Sequence, residues 1–251
     1  MQVDAADRLK RCADDLAQVR ADAPRVHCLT NDAAANLTAN GLLALGAVPS
    51  LSDHVDEVAA FTANAGALSI NLGTPDEGRL AAIDLAVKAA RDSTVPWVLD
   101  PVMIERAPTR RIAARRLVEQ SPDVLRLNAA EKASLFDTHD APPFDGVLAI
   151  SGAEDRLTQG DKQAVITNGH PLMARMTGAG CLLGAVTGAF LAVERDPFQA
   201  AVAASLTVAI AGEMAGEEAQ GPGSFHPALL DALARIRPQD LMEKARLTCA
   251  P

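Results

Sequence analysis

This sequence predicts an α/β fold: a mostly parallel central sheet with helices on both faces and one late β-hairpin. Three observations predict it. Short apolar runs alternate with helical stretches from Arg25 to Ile150, the pattern of parallel strands joined by crossover helices. Successive runs close on a polar residue: Asn31, Asn71, Asp100, Asn128 or Ser151. A small-residue turn, Thr177-Gly178-Ala179-Gly180, then opens an apolar run that reaches Val193.

The elements follow in order. Residues 4–20 alternate charges with Ala, Leu and Val at helical spacing, which predicts a first helix with a solvent face. Pro24 ends it, and residues 25–30 read as a strand closing on Asn31. A helix from about Ala33 to Leu45 is stopped by Gly46. A short strand over 48–52 precedes an amphipathic helix over 53–64. Residues 67–72 form a strand ending at Gly73. Thr74-Pro75-Asp76-Glu77 supplies a capping residue, a Pro and first-turn acids for a helix to about Arg91. Strand 96–99 closes on Asp100-Pro101, and a basic helix over 109–120 follows. Strand 123–127 closes on Asn128, a short helix carries Glu131 in its first turn, and strand 146–150 closes on Ser151-Gly152.

Then the pattern changes. Runs 156–158 and 163–166 flank Gly160-Asp161, a hairpin. Two Ala-rich helices occupy about 181–194 and 197–215. Gly221-Pro222-Gly223-Ser224 caps a helix over 225–236, and a short helix closes the chain. No linker, repeat or composition shift divides residues 1–251, so one domain is expected.

Composition narrows the function. The chain is 49% hydrophobic but only 3% aromatic, with no Tyr, so Ala, Leu, Val and Ile must build the core. A net charge of −9 argues against a nucleic-acid surface, though not against a phosphate held by local donors. Cys12, Cys28, Cys181 and Cys249 show no metal or redox spacing, so free thiols in a reducing, cytoplasmic setting are expected. The start, Met1-Gln2-Val3-Asp4 followed by further charges, is unlike a signal peptide. The apolar stretches near 179–193 and 198–212 are interrupted by small and polar residues and read as core helices, not membrane spans.

In an open parallel sheet, ligands bind beyond the carboxyl ends of the strands. The five polar strand ends lie there together with the Gly178-Ala179-Gly180 turn. Each polar residue alone is an ordinary loop starter, since Asn, Asp and Ser favour turns. As a set beside a glycine turn they mark a site. The first amides of a helix lack internal partners, and with the helix dipole they attract anions. Cys181 sits in that first turn, where a thiolate is favoured. Asp100 and Glu131 are the acidic pair, and Mg²⁺ takes one or two carboxylates plus phosphate oxygens. Arg126 interrupts an apolar strand; a solvated face and a phosphate contact both fit it. His27, also in a strand, fits a satisfied structural histidine.

Several stretches share one resemblance. Val26-His27-Cys28-Leu29-Thr30-Asn31, Asn36-Leu37-Thr38-Ala39-Asn40-Gly41, Asp100-Pro101-Val102, Asn128-Ala129-Ala130-Glu131, Thr177-Gly178-Ala179-Gly180-Cys181 and Gly221-Pro222-Gly223-Ser224-Phe225 occur in this order. Together they closely resemble hydroxyethylthiazole kinase, a thiamine-salvage enzyme family of the ribokinase-like superfamily, over nearly the whole chain. The resemblance implies transfer of the ATP γ-phosphate to the hydroxyl of 4-methyl-5-(2-hydroxyethyl)thiazole. It also implies Mg²⁺ and a homotrimer with active sites between subunits. By the same resemblance, Gly178, Ala179 and Gly180 form the anion hole, Gly178 also touching substrate, and Cys181 is the catalytic residue at the hydroxyl. Arg126, Ser151 and Asn128 bind ATP, Asp100 and Glu131 work around the metal, and Asn31, Ala33 and Leu51 line the thiazole pocket.

The chain departs from the family in four places. Met103-Ile104-Glu105-Arg106 stands where a Gly-Ala-Gly run is usual, Leu51 where Met is usual, and Asp32 where a second Asn is usual. The link from Glu131 to the Ser151 strand is shorter by a helix or more. These departures keep two other functions in view: a kinase of another small heterocyclic alcohol, and a non-catalytic thiazole-binding homologue.

Overall fold

Strand β1 (Arg25–Leu29) begins a nine-stranded sheet in the order β2-β1-β3-β4-β5-β6-β7-β8-β9. The structure is a computed structural model that describes residues 5–139 and 141–250. The N-terminal reading at Met1-Gln2-Val3-Asp4 lies outside the described residues. The other strands are β2 (Val48–Ser50), β3 (Ala67–Asn71), β4 (Trp97–Asp100), β5 (Val124–Asn128), β6 (Val147–Ser151), β7 (Asp155–Gln159), β8 (Lys162–Ile166) and β9 (Leu247–Ala250). All pairings from β2 to β6 are parallel, and those from β6 to β9 are antiparallel. The late hairpin is β7–β8, turned at Gly160, whose φ of +55° is left-handed.

A strand buried on both faces cannot alternate apolar with polar residues, and β3 and β4 do not. Ala67 and Val98 face one core; Leu68, Ile70, Trp97 and Leu99 face the other. The first core lies under α1 (Ala5–Asp22), α2 (Asp32–Leu45), α7 (Ala179–Leu191), α8 (Pro197–Glu218), α9 (Pro222–Arg235) and α10 (Pro238–Lys244). The second lies under α3 (Val58–Ala63), α4 (Glu77–Asp92), α5 (Pro108–Val118) and α6 (Ala129–Phe136). Helix α8 has the length and apolarity to cross a membrane, yet nearly all of it is buried between the sheet and α1, α7 and α9. It is a core helix, as its small residues predict.

Three local expectations are corrected. The helix predicted over 53–64 shrinks to α3, because the His54 carbonyl accepts from both Glu57 and Val58 in a tight turn before it. Thr74 does not cap α4: it has a left-handed φ of +48°, and Asp76 accepts from the Arg79 amide instead. The C-terminal end is a short helix, α10, followed by the unforeseen strand β9 against β8. Four residues of alternating burial carry too little periodicity to be read; the edge of β8 makes them a strand.

Candidate active site

The pleat phase of the sheet builds the site. Residues two apart on a strand share a face. Val98 and Val124 face the core under α7 and α8, so Asp100 and Arg126 do as well. Register pairs Asn71 with Asp100, Val98 with Val124 and Asn128 with Ser151. Asn71, Asp100 and Arg126 therefore stand side by side at the carboxyl rim, with Ser151 one step beyond. All five polar strand ends expected from sequence lie along this rim.

Helix α7 descends onto that row. Gly184 and Gly188 let it approach closely: a Cβ on Gly188 would lie 3.0 Å from Val26, and one on Gly184 3.7 Å from the Asp100 Cβ. The helix opens at Gly178, whose φ of +89° is left-handed and suits glycine. Its first internal hydrogen bond runs from Leu182 N–H to Gly178 O, 2.8 Å. The amides of Ala179, Gly180 and Cys181 precede that bond and have no intrahelical acceptor. A Cβ on Gly180 would meet the Arg126 guanidinium at 2.6–2.8 Å, so the arginine lies against the helix mouth. The guanidinium and the free amides present positive charge to one spot.

A hydrogen-bond network fixes the groups around this mouth. Arg126 Nη1 lies 3.3 Å from Asp100 Oδ1, and Arg126 Nε donates to Ser151 Oγ at 3.2 Å. Burial alone would lower the guanidinium, but Asp100 and Glu131 outweigh it and raise its pKa, so Arg126 stays charged. Of the two fates left open for Arg126, the solvated face is excluded: its side chain is 13% exposed. Asn71 Nδ2 donates to Asp100 Oδ2 at 2.7 Å and lies 3.2 Å from Cys181 Sγ. Asn31 Nδ2 donates to Asn71 Oδ1 at 2.9 Å and lies 3.4 Å from the same sulfur.

The thiolate that a helix first turn favours is not the form of Cys181. Burial, then the neighbouring Asp100 charge, pushes the thiol up to about 11, against the opposing pull of Asn31, Arg126 and Asn71. At neutral pH the residue is a thiol. Its place in a helix first turn is outweighed by its burial beside a carboxylate.

Glu131 is the third residue of a capping box. Asn128 Oδ1 accepts from the Glu131 amide, and Glu131 Oε2 accepts from the Asn128 amide at 2.8 Å. Its other oxygen accepts from the Met103 amide at 2.7 Å. Burial raises the Glu131 pKa, with the two backbone donors opposing. On the far side of the cluster, Ala33 is exposed in the first turn of α2 and Leu51 is half-buried in the loop after β2. That loop is held by His27, fully buried, which donates from Nε2 to Ser52 O at 2.8 Å and pairs through Nδ1 with Thr62 Oγ1. His27 is thus the satisfied structural histidine expected. Among the described residues no cysteine forms a disulfide.

A mostly parallel sheet with an open helix mouth over Asp100 and Arg126 is an arrangement suited to an anionic ligand. The family model "Hydroxyethylthiazole kinase family" matches residues 16–142 and 140–239. The chain belongs to the hydroxyethylthiazole kinase family. A probable hydroxyethylthiazole kinase of Agrobacterium fabrum is 41% identical over 237 residues, covering 94% of each chain. A hydroxyethylthiazole kinase of Clavibacter sepedonicus is 41% identical over 258 residues, again 94% of each. The structure of the Pyrococcus horikoshii hydroxyethylthiazole kinase superposes with a TM-score of 0.90 at 34% identity, covering 96% of this chain and all of the other. The Staphylococcus aureus pyridoxal kinase with AMP-PCP and pyridoxal, at 16% identity and a TM-score of 0.64, shares the ribokinase-like fold.

In the link between α6 and β6, Phe144 tucks against Gly146, with Phe136 6.4 Å away ring to ring. The residue that sequence reasoning left without a role is Asn71. Its position at a strand end was visible; its partners Asn31, Asp100 and Cys181 come from three other parts of the chain and were not.

Proposed function

We infer that this hydroxyethylthiazole kinase family member transfers the γ-phosphate of ATP to the hydroxyl of 4-methyl-5-(2-hydroxyethyl)thiazole, the phosphotransfer of thiamine salvage. The observation that carries the reaction is the unpaired start of α7 set over Asp100 and Arg126. Phosphoryl transfer depends on positioning and on neutralising charge, and this arrangement supplies both. The amides at Gly178, Ala179 and Gly180 cradle the travelling phosphoryl group. Arg126 and Ser151 hold the nucleotide phosphates, with Asn128 beside them. Asn31, Ala33, Leu51 and Gly178 form the thiazole side, and the Cys181 thiol meets the acceptor hydroxyl between them.

The donor set fits Mg²⁺. Asp100 and Glu131 offer carboxylate oxygens only, and no cluster of three His, Cys, Asp or Glu side chains forms a complete cage among the described residues. Mg²⁺ is commonly held by one or two carboxylates, with water and phosphate oxygens completing its shell. Bound there, it would neutralise charge on the phosphates. One domain carries the whole reaction, in the cytoplasm.

The oligomer we propose is a homotrimer with sites between subunits. Around the edge strand β2, Leu43, Val48, Val55 and Phe61 are exposed, and a groove of about 420 Å³ opens along Val48, Pro49, Ala60 and Phe61. This edge adjoins the loop carrying Leu51. Such a patch supports a subunit contact.

The test is ADP release by the pure protein with the thiazole alcohol and Mg²⁺, beside light scattering for the oligomer. Turnover dependent on both additions is expected. No turnover across a panel of thiazole alcohols would overturn the activity, and a monomer at micromolar concentration would overturn the trimer.

A further inference from the structure

Asn71 is 3% exposed and makes four hydrogen bonds to the groups at the site. Its Oδ1 accepts from the Gly73 amide at 2.9 Å and from Asn31 Nδ2 at 2.9 Å. Its Nδ2 reaches Asp100 Oδ2 at 2.7 Å and Cys181 Sγ at 3.2 Å. The orientation of the amide is not arbitrary. A backbone N–H only donates, so the atom facing Gly73 must be oxygen, and the nitrogen must face Asp100 and Cys181. The same logic orients Asn31, whose Oδ1 accepts from the Ala34 amide at 3.1 Å. Two backbone turns therefore aim two side-chain N–H₂ groups at one sulfur.

The consequences reach both reactive groups. Each oxygen of Asp100 carries one fixed donor, Asn71 on Oδ2 and Arg126 on Oδ1. The carboxylate cannot rotate without breaking one of them, and its remaining lone pairs keep a set direction. Cys181 Sγ has both asparagines as donors, so its S–H is directed elsewhere. We propose that Asn71 is a positioning residue for the phosphoryl transfer, locking the Asp100 carboxylate and the Cys181 sulfur into one fixed geometry at the mouth of α7. This rests on the phosphotransfer reading above.

The test separates the donor half of Asn71 from its acceptor half. Asn71→Asp is isosteric and keeps the acceptor for Gly73 and Asn31, but replaces the N–H₂ by a second carboxylate against Asp100. Two readouts follow. The first is kcat at pH 7, expected to fall by about 100-fold, with KM for ATP within about threefold of wild type, since a misplaced group mainly lowers the chemical step. The second needs no acceptor: alkylation of Cys181 by iodoacetamide at pH 9, followed by peptide mass, expected to slow about tenfold as the sulfur loses a donor and gains a like charge beside it.

A kcat within threefold of wild type or an unchanged alkylation rate overturns the proposal. Where Asn71→Asp does not give a folded protein by circular dichroism, Asn71→Ser takes its place, judged on kcat and alkylation. If wild type fails to phosphorylate any thiazole alcohol, the phosphotransfer reading falls; the alkylation result still decides whether Asn71 sets the state of Cys181.

Discussion

Met103 donates its backbone N–H to Glu131 Oε1 at 2.7 Å from the left-handed region, at φ +57°. A side chain there is strained by about 1–2 kcal/mol. The resemblance leads one to expect a Gly-Ala-Gly run at this loop, and the left-handed φ of Met103 is one that glycine adopts freely. Met103→Gly should therefore be neutral or slightly stabilising, the relief of strain offsetting about 0.5–1 kcal/mol of added unfolded-state freedom. Glu131→Ala should remove the cap and the loop tie together and lower stability by about 1–2 kcal/mol, near 3–6 °C in Tm for a chain of this size. Thermal melts of both variants check this. A Met103→Gly protein that melts well below wild type would show that the loop does not need this shape.

Cys181 is expected to be dispensable. Its thiol stays protonated until about pH 11, burial and Asp100 being the causes. No fraction large enough to serve as a base exists at pH 7. Cys181→Ala should lower kcat by less than about tenfold, the general range of a single lost contact to the reacting group. Its pH–rate profile between pH 6 and 9 should superimpose on that of wild type, because the native thiol titrates above that window. Abolished turnover, or a limb lost between pH 7 and 9, would restore Cys181 as the proton acceptor.

Much of this was legible in the residues and some was not. The parallel order, the hairpin and the core helices followed from alternation and turn residues, which are local signals. The identity of the rim also followed, since a parallel sheet exposes its strand ends on one side. The partners of Asn71 did not follow, because Asn31, Asp100 and Cys181 come together only through register and the descent of α7. The stripe of Gly180, Gly184 and Gly188, spaced four apart, is visible in sequence, but its meaning needs the strands beneath it. The ionisation of Cys181 was not legible for a related reason: the helix start that favours a thiolate is local, whereas the burial and the carboxylate that outweigh it are tertiary.

The two glycines at the helix mouth should fail differently. Gly178 combines φ +89° with a would-be Cβ only 3.2–3.4 Å from Ala34 and Leu37. Gly178→Val should distort the turn and abolish ATP-dependent turnover. Gly180 has helical backbone, and its would-be Cβ meets only the flexible end of Arg126. Gly180→Ala should fold normally and displace the guanidinium, raising KM for ATP by about tenfold, the loss of one charge-assisted contact. Isothermal titration with a nonhydrolysable ATP analogue distinguishes the two. Equal and unimpaired nucleotide binding in both variants would place the anion site elsewhere.

Arg79 should govern the acceptor side alone. It rises from the first turn of α4, 11% exposed, and its Nη2 reaches Asp32 Oδ1 at 2.9 Å and Asp53 Oδ2 at 3.2 Å. Asp32 follows Asn31, and Asp53 lies two residues after Leu51, so one guanidinium ties together the two segments proposed to carry the thiazole wall. Burial alone would lower its pKa, but both carboxylates outweigh that and hold it charged. The carboxylates are exposed, so the stabilisation is small, less than about 1 kcal/mol. The effect on geometry is larger than the effect on stability. Arg79→Ala should raise KM for the thiazole alcohol by about three- to tenfold while leaving KM for ATP and Tm nearly unchanged, and Arg79→Lys, a point charge without the fork, should recover only part of the loss. Steady-state kinetics with each substrate varied in turn will read this. A parallel rise in both KM values would mean that the clamp supports the whole rim and not the acceptor wall.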